Sequence, residues 1–152
     1  EDELGYHRMK EILFVCVNNV GRSQWAESIY NNARPGQAES AGTSVDEPNG
    51  FVGDWAGGPD LIIHVQNEDG PNIALNRRKQ LTEDMLQKFG RVVVMAQPET
   101  WPKFIQIGGH IDQWEINDPV NMTIGEVRLT RTLVKSKVEE LINGLGRLEV
   151  QA

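Results

Sequence analysis

Cys16 is the chain's one cysteine, and it closes the apolar run Ile12-Leu13-Phe14-Val15. Five residues, Val17-Asn18-Asn19-Val20-Gly21, separate it from Arg22, and Ser23 follows. A thiol is a nucleophile only as its thiolate. Three features here favour that state. The loop runs into a helical segment, whose N-terminal N–H groups and dipole stabilise negative charge. Arg22 is a permanent cation, and the Ser23 hydroxyl can donate to sulfur. The loop's backbone amides can wrap around the oxygens of a tetrahedral anion, with Arg22 as a planar clamp on two of them. The chemistry suggested is attack of Cys16 on a phosphate-like centre, through a covalent intermediate that splits one displacement into two.

A departing alkoxide or phenoxide needs a proton. Asp118, stiffened by Pro119 in a turn, is the candidate general acid and afterwards the base for an attacking water. Plainer readings stay open on these residues alone. A cysteine after an apolar run is commonly a core residue, and Asp-Pro is commonly only a turn. Asn18 and Asn19 suit any loop, because asparagine tolerates left-handed backbone.

The elements that must position these groups follow from patterning. Residues 12–15 read as a strand buried on both faces. Trp25, Ala26, Ile29 and Ala33 recur at helical spacing, and Pro35-Gly36 stops that helix. Residues 38–41 are a weak second strand, since Glu39 and Ser40 have little β-propensity. Residues 43–59 are rich in Gly, Pro, Asp and Asn and read as a long surface loop, in which Phe51 and Trp55 either anchor onto the core or line the site. Residues 61–65 lean to helix, with Pro59-Asp60 as first turn and Gly70 as stop. After a polar loop with three basic residues at 76–80, Thr82 is expected to cap a helix ending at Gly90. Residues 91–95 form a buried strand, 98–105 a short helix, and 111–116 the last strand. Val127, Val134, Val138, Leu141 and Leu145 stripe a final helix that Gly144 and Gly146 close. Strands alternating with helices imply an α/β domain with a parallel sheet, whose ligands sit at the carboxyl ends of the strands, where Cys16 lies.

Composition bounds the rest. Hydrophobic content of 39% and charged content of 24% are ordinary for a globular protein, and 152 residues suit one domain. Residues 9–152 are read as that domain, and residues 1–8 as an N-terminal extension or cloning remnant. A net charge of −7 argues against a general nucleic-acid binder but not against a small anionic substrate at a local positive site. One cysteine excludes an internal disulfide and a cysteine-based zinc site, and the three histidines show no ligand spacing. Apolar runs fall far short of the about 20 residues a membrane helix needs, and no signal-peptide pattern is present. The expected setting is the reducing cytoplasm, with no membrane partner.

Cys16-Val17-Asn18-Asn19-Val20-Gly21-Arg22-Ser23-Gln24 resembles the phosphate-binding signature of the low-molecular-weight protein-tyrosine-phosphatases and their relatives, the thioredoxin-coupled arsenate reductases. Ser40-Ala41-Gly42-Thr43, Lys79-Gln80-Leu81-Thr82, Val93-Val94-Met95 and the stretch from Trp114 to Asp118-Pro119, with the basic helix beyond, are similar to further parts of that family. The resemblance spans about residues 10–145. It implies a phosphotyrosine-phosphatase-I-like α/β fold: a single domain with a four-stranded parallel sheet and helices on both faces. It implies Cys16 as nucleophile, Arg22 as phosphate clamp, Asp118 as acid and base, and Val17, Asn18, Asn19, Val20, Gly21, Arg22 and Ser23 as the substrate-binding loop. Asn19, Ser23 and Ser40 are implied as a network holding that loop, with Asn76 where the network commonly has histidine. No metal and no organic cofactor is implied.

Departures shape the functional expectation. The phosphatases usually carry glycine where Asn18 stands, a second cysteine where Gly21 stands, and aromatic residues where Val120 and Asn121 stand. These bear on phosphotyrosine specificity more than on phosphate chemistry. Gln24 and Ser40-Ala41-Gly42-Thr43 lean toward the reductase branch, but no cysteine occurs in Ala96-Gln97-Pro98-Glu99-Thr100-Trp101, where that branch keeps its relay. A reductase would therefore need an external thiol or redoxin. The leading expectation is a phosphomonoester hydrolase acting on a phosphorylated protein or small aryl phosphate through a phosphocysteine. The alternatives are an arsenate reductase and an oxyanion-binding module without turnover.

Overall fold

The computed structural model describes residues 9–151, without the side chains of residues 146–151. The extension expected at residues 1–8 lies outside the described residues. In chain order the elements are β1 (Lys10–Cys16), α1 (Arg22–Ala33), β2 (Ala38–Gly42), α2 (Asp60–Asn67), β3 (Phe89–Val94), β4 (Ile111–Gln113) and α3 (Ile124–Gln151). The four strands form one parallel sheet in the order β2-β1-β3-β4.

The continuous apolar run of β1 is explained by its central place. Ile12 and Phe14 face a core completed by Trp25, Ala26 and Tyr30 of α1, Ile62 and Val65 of α2, and Val127, Val134 and Val138 of α3. Leu13 and Val15 face the other side, with Val92 and Val94 of β3 and with Leu81, Leu86, Phe89 and Ile105. A strand with both faces covered has no reason to alternate polar and apolar residues. Burying each such side chain contributes about 1.5–3 kcal/mol. The α-helices pack on the first face. The second is covered by the 3-10 turn Glu83–Gln87, through Met85 and Leu86, and by Leu81, Trp101, Phe104 and Ile105. Helical cover on both sides of the parallel sheet is thus as expected.

β2 forms despite its poor propensity because parallel pairing with β1, from Ile12↔Ala38 to Cys16↔Gly42, buries Ala38, Ser40 and Ala41. α2 is helical, as its Pro59-Asp60 start suggests. Four expectations differ from the structure. The helix expected from Thr82 to Gly90 is only a 3-10 turn, because the chain must reach β1 at Lys10↔Phe89. Gly90 lies inside β3, where a Cβ would stand 3.3 Å from the Glu11 carbonyl. The short helix expected at 98–105 shrinks to the turn Pro98–Thr100. β4 ends at Gln113 rather than residue 116, though the Trp114 N–H still donates to the Val94 carbonyl at 3.0 Å. α3 runs past Gly144 and Gly146, since a helical glycine costs only about 1 kcal/mol and Leu141 and Leu145 pack on the core. No helix among the described residues is long and apolar enough to cross a membrane.

Candidate active site

The loop after β1 turns into α1 when the Trp25 N–H bonds the Gly21 carbonyl at 2.8 Å. Among the described residues, the backbone N–H groups of residues 18–23 find no protein acceptor, although residues 19–23 are buried. An unpaired buried N–H costs about 1–3 kcal/mol, and such a row can serve an external anion. Asn19 makes the turn with φ 57°, the left-handed region asparagine tolerates. Asn18, the position where glycine is usual in the resembling family, is not a positive-φ residue. The loop therefore closes without glycine there.

Cys16 is 3% exposed, and its Sγ lies 2.9 Å from the Ser23 Oγ. The Asn19 Nδ2 donates to that same Oγ at 2.7 Å. The Lys79 N–H donates to the Asn19 Oδ1 at 2.9 Å, which fixes the orientation of the amide. With its oxygen already accepting from Asn19, the Ser23 hydroxyl directs its proton at the sulfur.

Arg22 is buried at the start of α1. Its Nη1 donates to the carbonyls of Met95 at 2.7 Å and Ile116 at 2.9 Å, just beyond β3 and β4. Its Nη2 stands 3.7 Å from the Asp118 Oδ2. Asp118 is half exposed and accepts at Oδ1 from the Val120 N–H at 3.2 Å. Cys16, Asn18, Val20, Gly21, Arg22 and Asp118 line one narrow cleft of about 20 Å³, with Trp55, Ile62, Pro119 and Val120 at its sides. That volume takes a small anion at most. The distant sequence candidates Cys16, Arg22 and Asp118 thus meet in one place. At Gly21 a Cβ would stand 3.1 Å from the Pro119 Cγ and 3.3 Å from the Ile62 Cδ1, so these two side chains occupy the space a larger residue would need.

The surroundings divide into supports that were foreseen and supports that were not. Asn76 donates to the Gln24 Oε1 at 3.1 Å, and Gln24 in turn donates to the Asn19 carbonyl at 3.2 Å. Asn76 therefore acts on the loop through Gln24. Gln24 itself is buried beneath the loop rather than facing the cleft. Ser40 differs from expectation: its hydroxyl donates to Glu27 of α1 at 3.1 Å rather than to the loop, because its partner in register is Phe14, two residues before Cys16. Gly42 is the member of that stretch that touches the loop. A Cβ there would fall 2.3 Å from the Val17 carbonyl oxygen and 3.0 Å from the Asn19 nitrogen.

Two further residues escaped the sequence reading. Gln97 places its Oε1 at 3.3 Å from both Nη1 and Nη2 of Arg22. Its position just past the carboxyl end of β3 was the available signal. Arg78 is buried and donates from Nε to the Asn18 carbonyl at 3.2 Å, from Nη2 to the Asn18 Oδ1 at 3.3 Å, and to Asp46. It was visible only as one of three basic residues in a row. Asp46 also accepts from the Trp55 indole at 3.3 Å, and the Arg78 hydrogen bond holds its carboxyl below the usual aspartate range. Trp55 is both a core anchor and a wall of the cleft. Among the described residues, no cluster of three His, Cys, Asp or Glu side chains is arranged to hold a metal.

The chain is 26% identical over 150 residues to the probable low molecular weight protein-tyrosine-phosphatase AmsI of Erwinia amylovora, covering 91% of this chain and 99% of the relative. The crystal structure of that phosphatase superposes with a TM-score of 0.72 at 21% identity, covering 90% of this chain and 93% of that one. The YwlE arginine phosphatase of Geobacillus stearothermophilus (TM-score 0.69, 21% identity, 93% and 96% covered) shares the fold. So does the thioredoxin-dependent arsenate reductase of Corynebacterium glutamicum, with a TM-score of 0.65 and 24% identity over 91% of this chain and 62% of that one. The model of the low molecular weight phosphotyrosine protein phosphatases matches residues 11–151. By that match, the chain belongs to this family of enzymes.

Proposed function

We propose that the protein hydrolyses phosphomonoesters with an aryl leaving group through a phosphocysteine on Cys16. The observation that carries this is the row of unpaired N–H groups at residues 18–23, closed around Cys16 and flanked by Arg22, with Asp118 across the same cleft. The thiolate of Cys16 attacks phosphorus. The S–P bond forms as the ester P–O bond breaks, and the Asp118 carboxyl gives its proton to the departing oxygen. Water then attacks the phosphocysteine, Asp118 takes a proton from it, and the S–P bond breaks to release phosphate. The loop amides and Arg22 meet the charge that develops on the equatorial oxygens. The cleft supports this choice of substrate class. It takes the phosphoryl group, while Trp55, Ile62, Pro119 and Val120 offer an apolar rim to the group that leaves. A tyrosyl phosphate on a protein and a small aryl phosphate both fit that description.

The test is hydrolysis of an aryl phosphate series by wild type, Cys16→Ser and Asp118→Asn. Cys16→Ser is expected to be inert. Asp118→Asn is expected to lose about 10²–10⁴-fold, most for poor leaving groups and least for nitrophenolate, which departs without a proton. An inert wild type, or a Cys16→Ser variant at wild-type rate, overturns the proposal. Arsenate reduction is the second reading, favoured by the fit of the same amide row to any tetrahedral oxyanion. Cys16 is the one thiol of the chain, so the two electrons would come from an external thiol or redoxin. Arsenite formed from arsenate with such a donor, without aryl phosphate hydrolysis, would select it.

A further inference from the structure

We propose that Gln97 is a positioning residue that aims Arg22 while leaving its charge uncancelled; the inference rests on the reading of Arg22 as the anion clamp. The Arg22 side chain is 2% exposed, and a buried cation is normally matched by a buried carboxylate. Here its close acceptors are the carbonyls of Met95 and Ile116 and the amide oxygen of Gln97, all neutral. The nearest carboxylate, Asp118, is 44% exposed and stands 3.7 Å away, beyond hydrogen-bond distance. The three neutral oxygens fix the plane of the guanidinium. Nη1 serves the two carbonyls and shares Gln97 with one Nη2 hydrogen, which leaves Nε–H and the second Nη2 hydrogen for an anion over the loop.

Gln97 is itself held. Its carbonyl accepts from the Thr100 N–H at 2.9 Å and from the Thr100 hydroxyl at 2.7 Å. The Thr43 hydroxyl lies 2.9 Å from that of Thr100 and, with the Thr100 proton already given, acts as its donor. Pro98 follows and fixes the next φ. Thr43 comes directly after Gly42, which touches the loop. The forked acceptor on Arg22 is thus tied back to the strand that packs under the phosphate-binding turn. A glutamate at 97 would keep the same shape and form a charge-assisted pair through the same forked oxygen, competing with the substrate dianion for the guanidinium. Glutamine supplies the geometry without that competition.

The experiment compares inorganic phosphate binding by calorimetry, and kcat and KM on an aryl phosphate, for wild type, Gln97→Ala and Gln97→Glu. A merely structural acceptor predicts that Q97E, which keeps both hydrogen bonds, matches wild type and exceeds Q97A. A neutral acceptor that leaves the Arg22 charge for the anion predicts the reverse order. Q97A weakens phosphate binding several-fold, and Q97E weakens it further, by about tenfold or more. The Q97E deficit deepens as pH rises and the ligand gains its second negative charge. Equal phosphate affinity in all three proteins, or Q97E binding as well as wild type, overturns the inference. A wild type that binds phosphate but hydrolyses no ester overturns the phosphatase reading while leaving the binding comparison decisive for Gln97. A wild type that binds no phosphate overturns both.

Discussion

The Cys16 sulfur and the Ser23 hydroxyl oxygen lie 2.9 Å apart, and the Asn19 amide occupies the acceptor side of that hydroxyl at 2.7 Å. The order of donors therefore runs Asn19 to Ser23 to Cys16. Removing the middle member should cost the hydrogen bond to a charged sulfur, about 1.5–3 kcal/mol, or roughly 10- to 100-fold in kcat/KM. Ser23→Ala is predicted to show that loss with a slowed burst of aryl alcohol. Ser23→Thr, which keeps the hydroxyl, should recover part of the rate if the added methyl is accommodated. A Ser23→Ala burst as fast as wild type would show that the sulfur does not depend on this donor.

Gly42 is the point at which β2 passes under the loop. Its virtual Cβ falls 2.3 Å from the Val17 carbonyl oxygen and 2.7 Å from the Val45 Cγ2. The Val17 carbonyl is also fixed by the Ser44 N–H at 3.0 Å, so backbone rather than a flexible side chain must move. Gly42→Ala is predicted to lower stability by about 1–3 kcal/mol, read as a lower urea midpoint, and to reduce turnover with it. Stability and turnover both at wild-type levels would contradict the contact.

Arg78 joins the two sides of the cleft entrance. It holds the Asn18 carbonyl on the loop and Asp46 on the segment that carries Trp55. Arg78→Ala should leave the Asn18 carbonyl unpaired, costing about 1–3 kcal/mol, and should shift Trp55 fluorescence as the indole loses its support. Asp46 has a folded pKa lowered by the Arg78 hydrogen bond. A lowered acid stabilises the fold above its unfolded pKa of about 3.9 and stops doing so as pH falls through the folded value. Acid unfolding of wild type should therefore steepen below about pH 3.9, and Asp46→Asn should remove that component. An Asp46→Asn acid profile that overlays wild type would count against the link.

Legibility in the sequence followed how local each signal was. β1 was readable because a strand buried on both faces must be continuously apolar, and Cys16 at its end marks the site. The α3 stripe was readable because Val127, Val134 and Val138 repeat at helical spacing and all face the core. The loop chemistry was readable because nucleophile, clamp and hydroxyl donor fall within eight residues, 16–23. The turn Glu83–Gln87 was not, since Thr82, Glu83 and Asp84 suit an α-helix start equally well, and only the tertiary demand that Phe89 pair with Lys10 ends it. Gln97 and Arg78 were hidden for a related reason. Their partners, Arg22 and Asn18, stand 75 and 60 residues away in the chain, and a polar residue in a loop carries no mark of its partner. Ser40 was misplaced because its role came from the resembling family, whereas its register opposite Phe14 sends its hydroxyl to Glu27.

Glu27 offers a stability test independent of the chemistry. It sits on α1 with its side chain 17% exposed, 3.9 Å from the Lys79 Nζ, and accepts from the Ser40 hydroxyl. Burial outweighs both partners, and its pKa is raised. An acid raised on folding leaves the native state undisturbed at pH below its unfolded pKa of about 4.3, and costs stability increasingly as pH rises from there, in full above the folded value. Glutamine keeps an acceptor for Ser40 and has no charge to bury. Glu27→Gln is therefore predicted to raise Tm at neutral pH, with the gain shrinking as pH falls and vanishing below about pH 4.3. Thermal unfolding of both proteins across that range checks it. A Tm that falls at neutral pH would mean that the Lys79 pairing outweighs burial at this site.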